Sequence, residues 1–125
     1  MRQAGQLALL RFPDTSLQEG KLRPVLLLGK LPGEYDDWLI CLVSTQLRHF
    51  VREFDEIVGE DAPDFAESGL KAPSVIRLGR RAGVEGSALP GAIGKVALDR
   101  LRRAKNRLAR WLSESQDAPE VELLK

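Results

Sequence analysis

Trp38-Leu39-Ile40-Cys41-Leu42-Val43 runs directly into Ser44-Thr45-Gln46, and this stretch decides how the rest of the chain reads. Six apolar residues, β-branched and aromatic types among them, predict a central strand. The polar triplet marks its end beside a loop, where binding and catalytic side chains are commonly placed. Cys41 lies inside the apolar run. As the only cysteine it can form no intramolecular disulfide, and together with His49, the only histidine, it falls short of a zinc ligand set. A buried thiol is therefore expected.

Working outward, Lys21-Leu22-Arg23-Pro24 leads into Val25-Leu26-Leu27-Leu28-Gly29, a continuous apolar run of strand length. Leu7 to Phe12, closed by the turn residues Pro13-Asp14, predicts an earlier strand. Downstream, Phe54, Ile57 and Val58 mark a short fourth strand, and Pro73 to Leu78 a fifth. The acidic segment from Gly59 to Gly69 reads as a loop or short helix. Gly79, Gly83, Gly86, Pro90, Gly91 and Gly94 predict turns. The period then changes. From Lys95 to Leu112, Ala97, Leu98, Leu101, Ala104, Leu108, Trp111 and Leu112 share one helical face, with Arg100, Arg103, Arg107 and Arg110 expected toward solvent. The expected fold is mainly β with a C-terminal helix, a small SH3-like barrel capped by that helix.

A chain of 125 residues, 43% of them hydrophobic, suits one domain over residues 1–113, with an acidic, frayed tail over 114–125. No secretory signal or membrane span is legible, so the cytoplasm is the expected compartment and no membrane partner is expected. The formal charge of +1 conceals an asymmetry: residues 1–69 sum to −5, residues 70–113 to +9 and the last twelve to −3. The basic block fits a polyanion partner, and equally a solvated helix face. Phosphate-cradle, dinucleotide, nucleophile-elbow and metal motifs are missing from the sequence, so neither a cofactor nor a metal is expected.

Several short motifs follow one another in order. Gly5 to Pro13 is a glycine-led apolar strand ending in Phe-Pro, and Lys21 to Leu28 is a basic-x-Arg-Pro step into an apolar strand. Ser44-Thr45-Gln46 ends the next strand. Ser74-Val75-Ile76-Arg77 and Gly91-Ala92-Ile93-Gly94-Lys95 come later. Over roughly residues 5 to 112 the chain resembles the MazF/PemK family of toxins from toxin–antitoxin systems.

That resemblance implies a MazF-type β-barrel working as a homodimer, with a cognate antitoxin as partner. It also implies an mRNA interferase, a metal-independent endoribonuclease that cuts single-stranded RNA, leaving a cyclic phosphate and a 5′-hydroxyl. Carried over by position, the catalytic pair is Arg23 and Ser44, with Thr45, Gln46 and Arg77 contacting RNA, and Arg80 and Arg81 as further candidates. The loops 13–20 and 47–52 would then set the cleavage sequence. Two departures stand out: Gln6 replaces a common acidic residue, and Ser44 replaces threonine, keeping the hydroxyl while losing a rotamer-restricting methyl. His49 reads as a surface or loop histidine. The alternatives are a gyrase-binding toxin similar to CcdB, which cuts nothing, and a non-toxic SH3-like module that binds RNA or protein.

Overall fold

The computed structural model describes residues 2–11 and 21–115. The expected Phe12-Pro13 strand end, the 13–20 loop and the tail from residue 116 lie outside them. Six strands form one sheet: β1 (Gln6–Arg11), β2 (Leu22–Lys30), β3 (Asp37–Ser44), β4 (Glu56–Val58), β5 (Ser74–Glu85) and β6 (Gly91–Lys95). Their spatial order is β4-β5-β3-β2-β1-β6, and every pairing is antiparallel. The register slips within three of the pairs, at Leu7/Ala8, Leu27/Gly29 and Cys41/Leu42. Each bulge adds local twist, and the sheet curls into a half-barrel.

Strand alternation sorts the apolar residues into two layers. Leu7, Leu26, Leu28, Cys41, Val43, Ile76 and Leu78 pack against Leu101, Ala104 and Leu108 of α2 (Leu98–Glu114). Ala8, Val25, Leu27, Trp38 and Ile40 form the other layer with Leu89. Cys41 is fully buried, as expected, and burial with Asp55 nearby pushes its thiol up to about 12.

Two expectations need correction. The glycine-rich stretch is not all turns: β5 continues to Glu85, and Gly91–Lys95 is the edge strand β6 on β1. Glycine is a poor strand former, and what selects it is close backbone approach. A Cβ on Gly94 would strike the backbone of Glu67 and Ser68 in α1 (Phe65–Ser68). Gly69, which ends α1 at φ +74°, meets the Ile93 carbonyl in the same way.

The helix is the second correction. It starts at Leu98 rather than Lys95 and leaves Leu98, Trp111 and Leu112 exposed. Arg100, Arg103 and Arg107 are not a solvated face. They form a stripe one residue before Leu101, Ala104 and Leu108, and so flank the buried side. Glu56, 6% exposed, takes Arg100 and Arg103 on Oε1 at 3.0 Å each and Arg107 on Oε2 at 2.6 Å. Asp64 accepts from Arg100 Nε at 2.7 Å and from the Ala97 amide at 3.0 Å. Ala97 is the helix N-cap, and Asp64 satisfies its backbone N–H, one of the helix-start donors that have no partner within the helix. The Arg100 guanidinium holds the Asp64 carboxyl below its usual range against the opposing effect of burial.

Removing one partner from a buried ion pair strands the other, at a cost of about 3–5 kcal/mol. Glu56→Ala should lower the unfolding free energy by about that amount in urea titration. A loss under about 1 kcal/mol would mean that water replaces the carboxylate.

Candidate nucleic-acid interface

β2 and β3 pair with Val25 opposite Leu42. Continuing that register by two residues sets Arg23, at the mouth of β2, across from Ser44, at the end of β3. Leu42 in turn faces Arg77 of β5. Residues two apart on a strand share a face, so Arg23, Ser44 and Arg77 project to the same side of the sheet. The slip between Cys41 and Leu42 sends Arg81 to the opposite side, since it pairs with Cys41. There its guanidinium lies 5.8 Å from the centre of the Trp111 ring and donates to the Leu78 carbonyl at 2.6 Å. Arg81 is thus helix packing rather than a candidate RNA contact.

A cavity of about 700 Å³ opens where these strand ends meet, and it reaches the segment joining α1 to β5. Its polar lining comprises Arg23, Ser44, Thr45, Gln46, His49, Lys71, Ser74 and Arg77, with Leu9, Leu22, Leu70 and Ile93 among its apolar walls. Arg23, Ser44, Thr45, Gln46 and Arg77 all line this one cavity, whereas the further candidates Arg80 and Arg81 do not. Lys71 was not expected. It sits in the α1–β5 segment, three residues before Ser74, outside any of the motifs read from the sequence.

Among the described residues, the lining contains three cations and no carboxylate. Among the described residues, Arg23, Lys71 and Arg77 have no ion-pair partner, in contrast to the carboxylate-bound arginines of α2. Such a field attracts an anion with more than one charge, and two guanidinium forks can grip phosphate oxygens bidentately. Ser44 Oγ accepts the Gln46 amide at 3.0 Å, which leaves its O–H available to donate. Gln46 Oε1 accepts from Arg48 at 2.6 Å.

His49 closes a short 3-10 turn, Leu47–His49, that rests on β5. The turn is tied down by Asp55, which accepts from the amides of Val51 at 2.9 Å and Leu78 at 3.0 Å. Sequence reasoning placed His49 in a loop, and the fold turns that loop over the cavity. Desolvation, then the charges of Arg77, Arg48 and Arg80, push its pKa below the ordinary 6.5. The ring is therefore neutral at physiological pH.

No protein-family model matches the chain, and neither does any curated protein. Solved structures do match, two MazF structures among them. MazE–MazF from Deinococcus radiodurans aligns with a TM-score of 0.62 at 18% identity, over 91% of this chain and 97% of that one. The Mycobacterium tuberculosis toxin MazF-mt6 aligns with a TM-score of 0.59 at 17% identity, over 89% and 99%. The fold is that of MazF. Almost the whole length of each MazF chain is matched, so the six strands and terminal helix correspond to the complete MazF fold and not to a shared fragment. Among the described residues, no helix is long and apolar enough to cross a membrane.

Proton NMR of His49 should show a midpoint below 6.5, and Arg77→Gln should move it upward by removing one of the repelling charges. A wild-type midpoint at or above 6.5 would contradict the cationic surroundings described above.

Proposed function

We propose that this protein is a toxin of the MazF type, an endoribonuclease that cuts single-stranded RNA without a metal. The observation that carries the reading is the cavity at the β2–β3 strand ends, with three cations that have no carboxylate partner among the described residues, beside a hydroxyl free to donate. RNA offers one negative phosphate per nucleotide and a 2′-hydroxyl next to each. Attack of that hydroxyl on the adjacent phosphorus builds charge on the phosphorane oxygens, and Arg23 is placed to offset it, with Arg77 and Lys71 gripping the neighbouring backbone. Arginine stays protonated in proteins, so its part is electrostatic. Ser44 donates a hydrogen bond to the phosphate or to the departing oxygen. Thr45 and Gln46 line the path of the strand.

The solved structure that pairs MazE with MazF supports an antitoxin partner for this chain as well. Its natural form in this reading is an acidic or extended segment that occupies the cationic cavity and folds as it binds. A homodimer in the cytoplasm completes the proposal. A gyrase-binding or purely adhesive role would need no unpaired cations around a hydroxyl.

The protein should cut a long RNA in the presence of EDTA. Arg23→Ala should slow cleavage on the order of 10²–10³-fold with an unchanged circular dichroism spectrum. Ser44→Ala should be impaired and Ser44→Thr active. If Thr45→Ala loses activity in place of Ser44→Ala, the hydroxyl has been misassigned. Binding measured against salt should lose about 0.7 from its logarithmic slope in Lys71→Gln, one phosphate contact fewer. The exposed helix variant Arg110→Gln should leave that slope unchanged.

A further inference from the structure

We propose that His49 is the catalytic residue that takes the proton from the attacking 2′-hydroxyl, an inference that rests on the ribonuclease reading of the same cavity. Elimination within the cavity points to it first. Arg23, Arg77 and Lys71 carry their protons at neutral pH, and the hydroxyls of Ser44, Thr45 and Ser74 are very weak bases. Among the described lining residues, His49 is the one whose side chain can accept a proton in that range.

The second observation is the state of the ring. Nδ1 is covered by protein and has no hydrogen-bond partner among the described residues. A histidine kept only for packing normally has its covered nitrogen satisfied, because an orphaned polar atom costs free energy. Among the described residues no hydrogen bond holds this ring, which leaves Nε2, the nitrogen not sealed off by protein, as the one we assign to the reaction.

Among the described residues, the charged groups acting on it are Arg77 and Arg80 from β5 and Arg48 from its own turn, with no carboxylate. They keep the ring in the base form before reaction. In the step itself the O2′–H bond breaks and its proton passes to Nε2. The O2′–P bond forms while P–O5′ breaks, the electron pair leaves with the 5′-oxygen, and that oxygen takes a proton from water. The imidazolium so formed lies near arginines, yet it forms as the phosphorane gains negative charge, which offsets the repulsion.

Single-turnover cleavage of a short fluorogenic RNA, in EDTA and across acid to neutral pH, tests this. For wild type the rate should rise with unit slope and level off above a midpoint lower than 6.5. His49→Ala should cleave on the order of 10²-fold more slowly, lose the acid limb, bind RNA as before and regain activity with added imidazole. His49→Ala that keeps the wild-type rate or the acid limb would overturn the assignment while leaving the ribonuclease reading intact. So would a rate that falls as pH rises through that range, or weakened RNA binding without imidazole rescue, which would mark a structural role. A wild type that cuts no RNA under any of these conditions would remove the ribonuclease reading, and the proton acceptor with it.

Discussion

The carboxylate of Glu56 sits almost sealed from water with three guanidinium groups around it, and the arrangement of both sides of the sheet follows from that contact. A buried carboxylate loses its hydration, and a single cation seldom offsets that loss. Three donors on two oxygens, joined by the Asp64–Arg100 contacts and by Arg107 reaching the Asp55 carbonyl, satisfy it in one geometry only. The gain is position more than stability. β4, the turn that carries Asp64 and the whole of α2 are fixed relative to one another, and Leu101, Ala104 and Leu108 follow into the core.

The same contact divides the positive charge of the chain into two populations. Arg100, Arg103 and Arg107 of α2 are engaged within the fold, on the face that carries the helix. Arg23 and Arg77 lie on the other face, where the sheet ends and no acid among the described residues pairs with them. A net charge of +1 would predict little affinity for a polyanion. Local pairing, not the sum, leaves a cationic field at the strand ends.

Much of this was legible in the sequence. The apolar runs at Val25–Leu28 and Trp38–Val43 announced the central strands, because a buried strand needs continuous apolar side chains. The order of Arg23-Pro24 and Ser44-Thr45-Gln46 brought the cavity within reach, since adjacent antiparallel strands place the start of one beside the end of the next. What stayed hidden depended on distant partners. β6 reads as turns because Gly94 answers to the backbone of Glu67 and Ser68, some 25 residues earlier in the chain. The arginine stripe of α2 reads as solvent-facing until Glu56 and Asp64 are known to be buried, and burial of an acid has no periodic signal. Lys71 lies outside any of the motifs read from the sequence.

The two tryptophans occupy opposite layers of the half-barrel, and this makes the protein a double optical reporter. Trp38 is buried between Val25, Leu27, Ile40 and Leu89, with its indole N–H donating to Asp36 at 2.8 Å. Trp111 is half exposed near the end of α2, with Phe54 at 6.1 Å and the Arg81 guanidinium above it. A nearby cation and partial hydration tune its emission separately from that of its buried counterpart. Loosening of the helix would register on Trp111 before the sheet opens around Trp38, so a change of one colour without the other distinguishes peeling of the cap from melting of the barrel.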